Sequence, residues 1–200
     1  KSYLNEKLTH NYFDKELITP VQVKSIIDKL DVTKSTGPDG IGPKLLKHCG
    51  DYITPTIANI INSSIMEGIF PEALKEAFVI PVYKGGTKED PSNYRPISIL
   101  NTISKIFERH ISMQLQMFFN ITKILHVNQS GFRQKHSCQT ALTRLVDTWL
   151  KDIDSGMYVG TVFLDLRKAF DLVDHEILLH KLKLHHFSER TIKLFESYLS

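Results

Sequence analysis

The sequence predicts a helix-rich α/β fold of the α+β kind. Apolar residues recur at helical spacing through most of the chain. Two short β-prone runs, residues 78–83 and 94–100, flank a polar loop containing Gly85 and Gly86. A further run, residues 157–164, is rich in β-branched and aromatic residues and meets its first acidic residue, Asp165, at its end. Helices therefore dominate, and the few strands are expected to pair across large sequence separations.

The elements follow in order. Thr19 and Pro20 form an N-cap and a first helical position, followed by the stripe Val23, Ile26, Ile27 and Leu30. The turn at residues 35–40, Ser-Thr-Gly-Pro-Asp-Gly, breaks that helix. A second helix is expected over residues 43–48. A third follows Pro55, with Ile57, Ile60, Ile61, Ile65 and Met66 on its apolar side and Gly68 and Pro71 at its end. Pro81 makes the run 78–83 an edge strand or a bulge. Residues 84–93 read as a flexible loop. A long helix is expected over 103–119, carrying Ile106, Phe107, His110, Ile111, Leu115 and Phe118. Residues 129–136 form a polar loop, and Ser137 caps a helix to about Ile153 through Leu142, Leu145, Val146 and Leu150. A strand over 157–164 comes next. Asp174 caps a helix over 175–184, and a last helix starts after Ser188.

Two hundred residues with 42% hydrophobic content suffice for one or two cores. The net charge of +3, from 25 basic and 22 acidic residues, does not by itself imply a nucleic acid. Cys49 and Cys138 lack CxxC spacing and read as free thiols with no disulfide partner, Cys138 packed rather than reactive. His175 and His180 are not at the spacing of a helical zinc pair. No apolar run is long enough to span a membrane and no leader is visible, so an intracellular protein is expected. The start at Lys1 and the end within a helical pattern at Ser200 suggest a piece of a longer polypeptide.

Asp165 carries the chemistry. A carboxylate leaving the tip of a buried strand is placed to hold a divalent cation, and Leu166 adds a backbone carbonyl where the chain turns. Mg²⁺ takes oxygen ligands and binds through one or two carboxylates plus substrate phosphates. Nucleotidyl transfer uses two such ions roughly 3.5–4 Å apart. The amides of Lys168 and Ala169 would form an anion nest for a triphosphate. Phe170 is sized to pack under a sugar and exclude a 2′-hydroxyl. The competing reading is that Asp165 merely ends a strand and Phe170 is core. Asp171 and Asp174 read as capping or surface residues.

The run 163–178, FLDLRKAFDLVDHEIL, closely resembles the first catalytic motif of reverse transcriptases from non-LTR (LINE-type) retrotransposons. Residues 34–41, KSTGPDGI, resemble the family's N-terminal extension motif. Residues 80–86, IPVYKGG, with 93–98, NYRPIS, resemble its fingers motif, and 129–137, QSGFRQKHS, the motif after that. The motifs occur in the family's order, and they look like those of jockey-like elements. The resemblance implies a right-hand polymerase with a helical N-terminal extension (1–75), fingers (76–155) and the first part of the palm (156–200). It implies RNA-directed DNA synthesis with Mg²⁺, and as partners template RNA, a DNA primer, deoxynucleoside triphosphates and the element's own RNA, in nucleus and cytoplasm. DNA integration by the full-length element protein is implied as well. No Asp-Asp pair occurs in the chain, so the family's second catalytic motif is absent from these residues and the piece alone is expected to be inactive. Arg167 stands where the family often has a small polar residue, and no catalytic role is assigned to it.

Lys84 and Arg95 match family positions that hold the incoming triphosphate, and a mobile ammonium beside a bidentate guanidinium suits that task. By the same resemblance Gln129, Gly131, Phe132 and Arg133 line the template, where the alternative is a loop with Phe132 buried. Template contact by Gly37, Pro38, Asp39 and Gly40 rests on the resemblance alone; the residues themselves read as a tight turn. A reading from another class is a non-catalytic RNA-binding relic of a decayed element. An RNA-dependent RNA polymerase is disfavoured because Phe170 should exclude ribonucleotides.

Overall fold

Helix α1, Pro20–Asp28, is set by its first residues. The Thr19 hydroxyl accepts from the Gln22 N–H (3.2 Å), and the Gln22 carboxamide oxygen accepts from the Thr19 N–H (2.8 Å). Pro20 occupies a position where no N–H is needed, and Val23, Ile26 and Ile27 face inward. The computed structural model describes residues 12–166 and 168–200. The chain divides into two compact units, one formed by residues up to Met117 together with His175–Ser200, the other by Phe118–Asp174.

The first unit holds the core. Helices α2 (Pro43–Cys49) and α3 (Thr54–Glu67) follow α1. Helix α3 buries Ile57, Ala58, Ile61 and Ile65 and ends at Gly68, whose φ of 69° lies in the left-handed region. Ile60 and Met66, expected on its apolar side, are 41% and 54% exposed, because a 3.6-residue period carries them off the stripe that the others form. Helix α4, Thr102–Thr122, is longer than its apolar spacing suggests and buries Ile106, Phe107, His110 and Ile111. Phe107 stacks on Phe70 with ring centroids 4.9 Å apart. Helices α6 (His175–Leu184) and α7 (Glu189–Leu199) return to this unit. Ser188 caps α7 by accepting from the Thr191 N–H (3.0 Å), and Leu194 is buried in the core.

Strands β1 (Ala77–Tyr83) and β2 (Tyr94–Leu100) form a two-stranded antiparallel ribbon in which Pro81 faces Pro96. Both are edges, as the prolines require. They pair through a hairpin, not across the large separation expected, because the turn residues between them close the ribbon locally. The ribbon stays largely uncovered: Phe78 and Val79 are 56% and 60% exposed.

The second unit has no comparable core. Helix α5, Cys138–Asp154, is capped as its sequence predicts, with the Ser137 hydroxyl accepting from the Thr140 N–H (3.2 Å). Yet it buries no residue; Leu142 and Leu150 are 59% and 53% exposed. Cys138, expected to be packed, is exposed. The expected strand over 157–164 does not form, and Val162, Phe163 and Leu164 stand in solvent. A strand is held by neighbours that take its N–H and C=O groups, and among the described residues β1 and β2 pair only with each other.

Lys15 sits buried in the first unit, its Nζ donating to the Arg190 carbonyl (3.2 Å). Burial pushes its ammonium down from 10.5 to about 8, against the pull of Asp14. From pH 8 upward the unfolded chain retains a proton that the folded chain releases, so stability rises with pH. Near pH 10 Tyr198 begins to act in the opposite sense, because burial and its hydrogen bond to Glu108 (2.7 Å) keep its phenol protonated in the fold. Urea melts between pH 7.5 and about 9.5 should therefore show rising stability, and Lys15→Met should flatten the rise. An equal slope in the variant would reject Lys15 as its source.

Candidate nucleotide and template site

Lys84 and Arg95 both lie near the turn end of the hairpin. Arg95 stands opposite Val82, and the Lys84 N–H continues the ladder by donating to the Asn93 carbonyl (2.8 Å). Residues facing each other across an antiparallel pair share a face, and so do residues two apart along a strand. Val82 and Arg95 therefore share one face, and Lys84 follows directly on the end of β1 beside them in the chain. The loop beyond them, expected to be flexible, is braced. Asn93 Nδ2 donates to the Thr87 carbonyl (2.8 Å), and the Tyr94 hydroxyl donates to the Lys88 carbonyl (3.0 Å). The Tyr83 hydroxyl donates to the Gly86 carbonyl. Gly86 has φ 101°, and a Cβ there would lie 2.6 Å from Asn93 Nδ2, so both backbone and space demand glycine.

The turn at Gly37–Gly40 is docked rather than free. Asn101, just before α4, accepts from the Asp39 N–H (3.1 Å) and donates to the Ala73 carbonyl (2.8 Å). Thr102 donates from its hydroxyl to the Ile41 carbonyl (2.6 Å). Gly37 is buried, Pro38 half-buried, and Asp39 and Gly40 are exposed. A Cβ on Gly37 would fall 2.5 Å from Asn101 N and 2.6 Å from its Cα, so the backbone itself would have to move. Gly37→Ala should cost roughly 1–3 kcal/mol, as overpacking does. Chemical denaturation of the chain measures it, and a loss below about 0.5 kcal/mol would show that the turn is not pinned to Asn101. Asn101 escaped the sequence reading because its only signal is a polar residue ahead of a helix.

In the second unit the structure joins two of the expected site residues. Phe132 and Phe170 meet edge to face with ring centroids 5.7 Å apart. They are 83% and 74% exposed, so neither is the core residue of the competing reading. Phe132 and Lys168 hold φ of 58° and 51°. Such left-handed backbone costs a non-glycine residue about 1–2 kcal/mol. Arg133 is engaged locally, donating to the carbonyls of His126 (3.2 Å) and Gln129 (3.3 Å), and the Gln129 carboxamide donates to the Gly131 carbonyl (3.2 Å). Asp165, Leu166, Lys168 and Ala169 are exposed, and Arg167 lies outside the described residues. Among the described residues no group of three His, Cys, Asp or Glu is gathered that could hold a metal ion.

The family model for "Reverse transcriptase (RNA-dependent DNA polymerase)" matches residues 84–199, a span holding Lys84, Arg95, the Phe132 loop and Asp165. The chain belongs to the reverse transcriptase family. This reverse transcriptase segment is 36% identical, over 83% of its length, to the RNA-directed DNA polymerase from mobile element jockey of Drosophila melanogaster. It is 35% identical over 83% to the probable RNA-directed DNA polymerase from transposon BS of the same species. It is also 26% identical over 62% to the retrovirus-related Pol polyprotein from type-1 retrotransposable element R2 of Popillia japonica. These are proteins of non-LTR retrotransposons, and the jockey resemblance read from the motifs is met. The segment spans only 18%, 19% and 17% of those relatives' own lengths. No helix among its described residues is long and apolar enough to cross a membrane.

Proposed function

We propose that this segment forms the N-terminal extension, fingers and beginning of the palm of an enzyme that copies RNA into DNA. The observation that carries the reading is the family match across residues 84–199, supported by a hairpin whose turn end carries Lys84 and Arg95. Lys84 and Arg95 hold the phosphates of an incoming deoxynucleoside triphosphate, the ammonium as a point charge and the guanidinium as a fork. The braced loop keeps these cations in register. Asp165, with the Leu166 carbonyl, contributes to binding Mg²⁺. The ion supplies charge neutralisation at the transferring phosphate when bound. The backbone at Lys168 and Ala169 lies against the triphosphate, and Phe170 packs under the sugar and rejects a 2′-hydroxyl. Phe132, on whose ring Phe170 rests, steadies that gate, and Gln129, Gly131 and Arg133 line the template strand. Gly37–Gly40 act with them at the template. A primer strand, the element's own RNA, DNA integration and a nuclear and cytoplasmic site of action complete the proposal. The relatives named above do not favour the alternative of a non-catalytic RNA-binding relic.

Phe170→Ala in a full-length polymerase carrying this segment tests the gate. Discrimination against ribonucleoside triphosphates should fall by roughly 10–100-fold, the loss of about 1.4–2.8 kcal/mol of steric selection. Single-nucleotide incorporation with dNTP and rNTP measures it. Unchanged selectivity would remove Phe170 from the sugar pocket.

A further inference from the structure

We infer, on the reading of Lys84 and Arg95 as phosphate ligands, that Tyr83, Asn93 and Tyr94 are positioning residues that act through them. Three successive carbonyls of the hairpin loop are each taken by one of these side chains. The Gly86 carbonyl accepts from the Tyr83 hydroxyl, the Thr87 carbonyl from Asn93 Nδ2 (2.8 Å), and the Lys88 carbonyl from the Tyr94 hydroxyl (3.0 Å). The two strand ends thus clasp the loop from both sides. Asn93 is engaged twice, since its own carbonyl accepts from the Lys84 N–H (2.8 Å).

The register fixes what the clasp controls. Tyr83 and Tyr94 face each other across the ribbon, with ring centroids 5.5 Å apart. Val82 and Arg95 are the next pair and therefore stand on the opposite face. Each tyrosine directly precedes a cation, Tyr83 before Lys84 and Tyr94 before Arg95. The loop carbonyls are drawn toward the tyrosines, off the face that carries Arg95, and Arg95 is exposed there. The loop needs such a hold. Gly85 and Gly86 have φ of 122° and 101°, and glycines released from their bonds have a wide choice of backbone conformations. Ordering them only when nucleotide arrives would weaken binding. The clasp orders them beforehand, so its effect falls on nucleotide affinity and not on the chemical step.

Steady-state single-nucleotide incorporation by a full-length polymerase carrying this segment tests the clasp. Tyr83→Phe/Tyr94→Phe removes both hydroxyls and keeps both rings. KM for the deoxynucleoside triphosphate should rise about five- to tenfold, with kcat within about twofold of the parent. Inhibition by inorganic tripolyphosphate, which has neither sugar nor base, should weaken by about the same factor. Tyr198→Phe on α7 is the control: it loses the hydroxyl bond to Glu108 (2.7 Å) and should leave KM and kcat within about twofold. An unchanged KM in the Phe pair, a fall in kcat alone, or an equal rise in the Tyr198 control would overturn the inference. So would a raised KM with tripolyphosphate inhibition unchanged. Arg95→Gln tests the cation itself. A raised KM there beside an unchanged Phe pair keeps Arg95 as a phosphate ligand and rejects the clasp. An unchanged KM in Arg95→Gln rejects that ligand, and the clasp with it. Circular dichroism melts establish that each variant folds.

Discussion

Asp165→Asn in a full-length polymerase carrying this segment will lower primer extension on an RNA template by about 10³-fold or more at saturating Mg²⁺. A carboxylate that anchors a divalent ion at the transferring phosphate contributes several kcal/mol to the transition state, and about 4 kcal/mol is a thousandfold in rate. The substitution keeps shape and removes only charge. Asp165 is exposed and supports no core, so folding should be untouched and the loss should appear in kcat. Synthesis within about tenfold of the parent would remove Asp165 from the metal site. Partial rescue by Mn²⁺ would strengthen the assignment, since it reports on the ion rather than on protein stability.

Phe107→Ala will destabilise the first unit by about 3–5 kcal/mol. The ring is fully buried, stacks on Phe70 at 4.9 Å, and stands among the aliphatic side chains of α1, α3 and α7. Truncation loses both the transfer free energy of the ring and the contacts of the walls left around the cavity. Such a loss is a large share of the stability of a domain this size. Leu142→Ala in α5 is the matched comparison. Leu142 occupies the same kind of helical stripe but is 59% exposed, so its removal should cost less than about 0.5 kcal/mol. Urea denaturation of the two variants reads the difference. Equal costs would show that α5 is packed and that the core is not confined to the first unit.

The two helices mark where the sequence is legible. Their apolar positions follow one period, and the period places each stripe correctly along its helix. It says nothing about what covers the stripe. On α4 the facing residues come from α1, α3 and α7; on α5 no described residue is buried. The run 157–164 fails for the same reason. Its β-branched composition describes a residue set that fits a sheet, while strand formation depends on hydrogen-bonding neighbours that the described residues do not provide.

Local chemistry is what the sequence determined by itself. The caps at Thr19, Ser137 and Ser188 and the tight turn at Gly37–Gly40 are interactions within a few residues of chain, so composition at those positions decides them. The tertiary structure alone decided the non-local ones. It put Asn101 against Gly37, 64 residues earlier by sequence number, and brought the rings of Phe132 and Phe170 together. It also withheld a strand from 157–164. Each of these depends on what another segment places alongside, and a one-dimensional pattern does not carry that information.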